Sequence, residues 1–316
     1  MQNRIAWLTL FAATVMVCQE SAGFTPGNIL MHNVPGGAQD LFEYTPSGAF
    51  VQQIPVTPRQ GGADLTVDRA GRTHIFNSPT LITYDATLNS FTSQTFAGWS
   101  NVGNITYGGI ASLGQYLFAT DMATAGAGAP KGVVRFDLDG GPTLRFATDV
   151  EPFDLNVGLD GLLYTLSKGT ASNGGGNRVD VFDPTSMTPV SSFSLPEEHR
   201  GIAVDFNGDI YTAQRDNVSR VNHFSPVGLL LDSINDPGVG GFADIDINRK
   251  GDLLIASHGG VVLVTTTALN SISSFNTRVS NGVNFATWIP VPVPEPCSEL
   301  VLLIGGVLSA ARFRRR

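Results

Sequence analysis

A phrase of apolar strand, tight turn and apolar strand recurs along this chain at an interval of roughly 45 residues, the range of repeat architectures. It stands at residues 63–76 (ADLTVDRAGRTHIF), 153–166 (FDLNVGLDGLLYTL), 201–213 (GIAVDFNGDIYTA) and 242–256 (FADIDINRKGDLLIA), with a weaker copy at 108–120 (GGIASLGQYLFAT). The turn glycines Gly71, Gly114, Gly161, Gly208 and Gly251 lie 43, 47, 47 and 43 residues apart. Glycine fits there because a hairpin turn calls for positive φ, which costs glycine little.

Each copy is followed by a second hairpin carrying an aromatic beside a polar turn: Tyr84-Asp85, Phe136-Asp137, Phe182-Asp183 and Phe224-Ser225, with a degenerate last one between Gly260 and Phe275. Two hairpins make a four-stranded antiparallel sheet, and a 40–50-residue repeat of four strands is a propeller blade. One such sheet cannot cover both its faces, so neighbouring blades must do it. Five copies predict 20 strands. Residues 28–33, 41–44 and 50–56 add three, and residues 284–289 add one with no hairpin partner after it. The expectation is an all-β, six-bladed β-propeller over residues 24–289, closed by N- and C-terminal strands sharing one blade and leaving no open edge.

Both ends read as targeting segments. Arg4, an apolar stretch from Ile5 to Val17 and the small residues Ser21, Ala22 and Gly23 form the three regions of a secretory signal peptide, residues 1–23, cut after Ala22 or Gly23. Cys18 follows Val17 rather than a small residue, so it reads as an ordinary residue of the apolar stretch. At the other end a proline-rich linker, residues 290–298, leads into a segment, 299–316, with an apolar run from Leu300 to Ala311 and then Arg312, Arg314, Arg315 and Arg316. Arginines held on the cytoplasmic side would orient that run as a short C-terminal hydrophobic helix. As a helix the run is about 18 Å long against a hydrocarbon core of about 30 Å, which suits a transient signal better than a permanent anchor.

Pro294, Glu295 and Pro296 before that run resemble the PEP-CTERM sorting tail of Gram-negative-type bacteria. The resemblance implies a protein that is exported, held transiently in the inner membrane and cut near the triplet by an exosortase-type enzyme, then released to the cell surface or exterior. Residues 201–211 are similar to the strand phrase of NHL-type and strictosidine-synthase/gluconolactonase-like six-bladed propellers, a likeness that bears on fold and carries no ligand residues across.

Composition sets the partners. With the five basic and three acidic residues of the ends set aside, the body keeps 14 basic against 24 acidic residues, a net charge of −10. That argues against nucleic acid as a partner and against adhesion to anionic lipid by net charge. Cys18 and Cys297 both lie outside the body, so packing and hydrogen bonds alone must hold it.

Asp64, Asp154 and Asp244 each stand seven residues before a turn glycine, and Gly201 takes that place in a fourth blade. Equivalent positions in a ring converge on its axis, so these carboxylates would line one channel mouth and hold a divalent cation such as calcium, the one cofactor in view. Alternatively each caps its own strand entry and is solvated. His199, within Glu197-Glu-His-Arg200, would be a base or ligand, or else part of a solvated loop between blades.

Other motifs fall away. Residues 205–209 resemble part of a calcium loop but lack the downstream bidentate glutamate, and occupy a hairpin turn in every repeat. Residues 125–132 miss the phosphate-loop pattern, and like 173–176 read as flexible loops between hairpins. Residues 110–114 miss the nucleophile elbow by its first glycine. His32, His74, His199, His223 and His258 show no metal-ligand spacing. The sequence therefore points first to an exported binding or scaffold protein for a glycan, matrix polymer or protein. The runner-up is a divalent-metal-dependent hydrolase or lactonase at the channel mouth.

Overall fold

The computed structural model describes residues 23–33, 40–57, 64–77, 80–95, 108–121, 131–168, 176–214, 219–235, 241–270, 272–278 and 284–291. They form six four-stranded antiparallel sheets. Blade 1 is Asp64–Val67, Thr73–Asn77, Thr80–Asp85 and Ser90–Thr95. Blade 2 is Ile110–Leu113, Tyr116–Asp121, Gly132–Asp137 and Leu144–Ala147. Blade 3 is Pro152–Val157, Leu163–Ser167, Gly176–Phe182 and Pro189–His199. Blade 4 is Gly201–Val204, Ile210–Gln214, Arg220–Phe224 and Leu230–Asn235. Blade 5 is Phe242–Ile247, Asp252–Ser257, Val261–Thr266 and Ile272–Asn276. Blade 6 is Asn284–Trp288, Ile29–Asn33, Asp40–Tyr44 and Phe50–Pro55.

The ring closes as the repeat predicts. Asn284–Trp288 lies antiparallel to Ile29–Asn33, with Trp288 opposite Ile29 and Asn284 opposite Asn33. Gly27 N donates to Ile289 O at 2.9 Å and Ile289 N to Asn28 O at 2.8 Å, tying the two ends together.

Burial follows position in the blade. The innermost strands Asp64–Val67 and Gly201–Val204 are buried throughout, while the outer strand Phe50–Pro55 alternates exposed with half-buried residues. A sheet covered on both faces at its inner edge and wet at its outer edge reads this way. One apolar cluster fills each seam between adjacent blades; Leu30, Leu41 and Phe285 of blade 6, for example, meet Leu65, Ile75 and Ile82 of blade 1.

The turns joining the first strand to the second and the third to the fourth define a turn face, and the remaining connections attach at the opposite, connection face. Gly71, Gly114, Gly161, Gly208 and Gly251 take positive φ between 59° and 87° in the inner hairpins, the conformation the repeat calls for. Among the described residues there is no helix, and so none long and apolar enough to cross a membrane. The expected signal peptide, the sorting triplet, the C-terminal hydrophobic helix and its arginines, and the loops at 125–130 and 173–175 lie outside the described residues.

Candidate functional site

Asp64, Asp154 and Asp244 each sit at or near the start of an innermost strand, in blades 1, 3 and 5. Residues from all six blades, these three among them, surround one cavity of about 40 Å³. It is the central channel, with room for a few water molecules. The convergence expected from equivalent positions is therefore present.

The aspartates are not solvated strand caps, however; they are buried and they staple blades together. Asp64 accepts from its neighbour Leu65 N at 2.7 Å and from Ile110 N of blade 2 at 2.8 Å. Asp154 accepts from Ile202 N of blade 4 at 3.0 Å and from Leu155 N. Asp244 accepts from Ile245 N at 2.7 Å and from Ala286 N of blade 6 at 2.9 Å. A strand beginning on a ring axis has amides with no ladder partner, and a carboxylate satisfies two of them at once.

The intervening blades leave room for this. A Cβ on Gly109 would lie 2.4 Å from Asp154 Oδ1 and 2.3 Å from Leu155 N. One on Gly201 would lie 2.7 Å from Ile245 N. Glycine there lets the next aspartate-bearing strand approach the backbone closely.

Three carboxylates in one buried channel perturb one another. Burial first, then the charges of Asp244 and Asp154, push Asp64 well above the usual carboxylate range. Asp154 is raised well above it by burial and by Asp244. Burial raises Asp244 to about 7, against the opposing amide of Ala286. Protonation and amide donors thus share the task of neutralising the site.

Two residues that the sequence analysis did not single out join the lining. Asp246 faces the channel two residues beyond Asp244 and accepts from Thr287 Oγ1 at 2.8 Å and Trp288 N at 2.9 Å. Asn156 holds the same place in blade 3 and donates to Asp246, while its Oδ1 is buried without a hydrogen-bond partner. Strand alternation was the signal: Asp244 and Asp246 share a face by the two-residue period. Gly109 escaped because it stands five rather than seven residues before its turn glycine, the inner hairpin of blade 2 being shorter.

His199 does not join the channel lining, and it is not in a solvated loop. It ends the 11-residue outer strand of blade 3, which a register shift opposite Gly176 and Arg178 carries up to the connection face. Its Nδ1 pairs with Thr212 Oγ1 at 2.9 Å, and its ring meets Phe224 edge-on at 5.7 Å. Burial, with the nearby charge of Arg220, lowers its pKa to about 3, so it is neutral. Residues 205–209 form a hairpin turn, in which Asp205 Oδ1 accepts from Asn207 N at 2.8 Å and Asp209 N at 3.0 Å.

Among the described residues no group of three or more His, Cys, Asp or Glu is spaced to hold a metal ion. Both oxygens of Asp64 and of Asp244 already accept from backbone amides, and Asp154 accepts from two, so a cation there would have to displace them.

An all-β, six-bladed propeller with a carboxylate-stapled axis is the class that fold and site define. No protein-family description matches the chain, and no curated protein matches it. Solved propellers do. A streptogramin B lyase structure is similar with a TM-score of 0.55 at 13% identity, over 80% of this chain and 89% of the other. The WD40 domain of Neurospora crassa Pan2 is similar with a TM-score of 0.53 at 9% identity, over 82% of this chain and 80% of the other. At such identities the likeness shows the fold alone.

Proposed function

We propose that this protein is an exported, non-enzymatic binding propeller. In this reading its signal peptide and C-terminal sorting tail deliver it to the cell surface or extracellular matrix. An exosortase-type enzyme processes the tail near Pro294, Glu295 and Pro296, and Arg312 and Arg314 to Arg316 hold the tail's orientation in the inner membrane. The body then offers its connection face to a glycan, matrix polymer or protein.

One observation carries the reading. The chain enters and leaves the ring side by side on the turn face, at the place where blade 6 would have its inner hairpin. A tail tethered there leaves the connection face pointing away, and connections on a rigid scaffold are where propellers place recognition. Fractionation of cells expressing the chain with and without residues 294–316 tests delivery. The full chain is expected at the surface or in the medium and the shortened form in the periplasm; identical distributions would remove the sorting claim.

The alternative, a divalent-metal-dependent hydrolase or lactonase at the channel mouth, needs a cation to replace the amides on Asp64, Asp154 and Asp244 and to organise a water. Elemental analysis of the purified protein, repeated on Asp154→Asn, separates the readings. Stoichiometric metal lost on that substitution would promote the enzyme.

A further inference from the structure

The turn face differs from the rest of the surface in its exposed apolar side chains. Among the described residues the five most exposed large apolar side chains are Val227 at 76%, Leu88 at 72%, Leu229 at 65%, Phe206 at 59% and Val291 at 58%. All five belong to turns or to the departing chain end on that face. Phe206 lies in the inner turn of blade 4, and Val227 and Leu229 in its outer turn. Those turns touch, since a Cβ on Gly208 of the first would sit 3.5 Å from Pro226 Cγ of the second.

Between this patch and the chain's exit at blade 6 stands the inner turn of blade 5, which exposes Arg249 and Lys250. Leu88 lies on blade 1, beyond the exit. In the hairpin turns of blades 4, 5, 6 and 1 no described carboxylate is exposed, whereas those of blades 2 and 3 expose Asp139 and Asp160. A body of net charge −10 has thus cleared exposed acid from one arc of one face and set apolar and cationic tips there.

We infer that this arc of the turn face rests on an anionic bilayer surface while the tail is inserted, with Phe206, Val227 and Leu229 in the headgroup boundary and Arg249 and Lys250 on lipid phosphates. The inference rests on the reading that residues 299–316 enter the membrane. Apolar tips beside basic residues are the chemistry of interfacial binding. The chain's own length supplies proximity. Residues 292–298 span at most about 25 Å fully extended, so the face bearing Val291 cannot move further than that from the point of insertion. Held so close, even a weak surface contact is populated, because tethering makes it intramolecular. The negative body does not oppose this: of its exposed turn carboxylates, Asp139 pairs with Arg69 at 3.4 Å, and Asp160, which borders the blade 4 turn at Gly208, accepts from Tyr164 Oη at 2.6 Å, while charge further off is screened beyond about 10 Å.

The test uses the full chain with Cys18→Ser and Cys297→Ser and one labelling site, either Val227→Cys or, on the connection face, Ala147→Cys. Each carries a polarity-sensitive fluorophore and is mixed with vesicles of phosphatidylethanolamine and phosphatidylglycerol. Flotation reports tail insertion separately. The expected result is a chain that floats, with the label at 227 shifted to the blue and losing most of its emission to a headgroup quencher, and the label at 147 unchanged. Arg249→Glu with Lys250→Glu is expected to reverse the change at 227 without abolishing flotation. A floating chain whose two labels behave alike overturns the inference and leaves the tail reading intact. A blue shift at 227 before vesicles are added overturns it too, by placing another part of the chain or a second copy on the patch. A chain that does not float removes the tail reading and the inference together.

Discussion

Asp244 illustrates how a residue on the axis links chemistry to stability. Folded, it keeps its proton up to about pH 7, because burial penalises the carboxylate and Asp246 lies nearby. Unfolded, it releases that proton near pH 4. The proton therefore favours the folded state fully below about pH 4, and that contribution is lost as pH rises through 7. A difference of three pK units amounts to about 4 kcal/mol. Asp244→Asn keeps one acceptor but turns an amide N–H₂ toward the second backbone amide, a cost of about 1–3 kcal/mol at pH 4. Between pH 4 and 8 the gap between variant and wild type is expected to close, since only the wild type must ionise a buried group. Urea unfolding of both proteins across that range measures it, and a gap independent of pH would mean that Asp244 is charged throughout. The position of this residue was legible in the sequence; its role was not. Counting back from a turn glycine places a side chain on the axis, but whether it meets solvent, a cation or a neighbour's amide depends on how closely the next blade approaches. His199 failed for a related reason. The polar stretch from Glu197 to Arg200 reads as solvated, yet the bulge at Gly176 continues the strand and buries the ring beside Phe224.

At the scale of the hairpin, the blades fall into two kinds. The outer turns of blades 2, 4 and 6 put Gly140, Gly228 and Gly48 in the left-handed region, at φ of 89°, 81° and 86°. The outer turns of blades 1, 3 and 5 put Asn89, Met187 and Leu269 there, at 47°, 55° and 52°. The glycines of blades 4 and 6 are required by packing as well. A Cβ on Gly228 would lie 2.5 Å from the Phe193 ring of blade 3, and one on Gly48 2.4 Å from the Phe275 ring of blade 5. Leu269 accepts the strain because its side chain is buried among Leu253, Ile255 and Leu263. Leu269→Ala removes that burial and keeps the strain, an expected loss of about 2–4 kcal/mol. Leu269→Gly removes the same burial but relieves about 1–2 kcal/mol of left-handed strain, offset in part by the greater freedom of unfolded glycine. The glycine variant is therefore expected to be the more stable of the two, by up to about 1 kcal/mol. Denaturant midpoints decide, and the reverse order would show that the turn is unstrained. The inner hairpins were legible because each carries its glycine; the outer ones were read from aromatic-polar pairs, which mark a strand's end without giving the backbone conformation.

Over the whole ring these differences share one period. Asp64, Asp154 and Asp244 stand 90 residues apart, as do Gly71, Gly161 and Gly251. The aspartate staples join blade 1 to 2, 3 to 4 and 5 to 6, and the Phe193 and Phe275 contacts cross two of those same seams. The molecule is thus three blade pairs arranged in a ring, and the third pair is completed only when the last strand returns to the first. That strand brings Phe285, Ala286, Trp288 and Ile289 into the core, and its amides are partners of Asp244 and Asp246. At about 1.5–3 kcal/mol for each large apolar side chain, its burial is worth roughly 5–9 kcal/mol, comparable to the whole stability of a typical domain. Its loss also strands two buried carboxylates and exposes the edge of Ile29–Asn33 for pairing with other chains. A chain ending at residue 291 is accordingly expected to unfold in one cooperative thermal transition, whereas one ending at residue 283 is expected to show no such transition and to aggregate. Equal midpoints for the two would mean that the propeller stands without its closing strand.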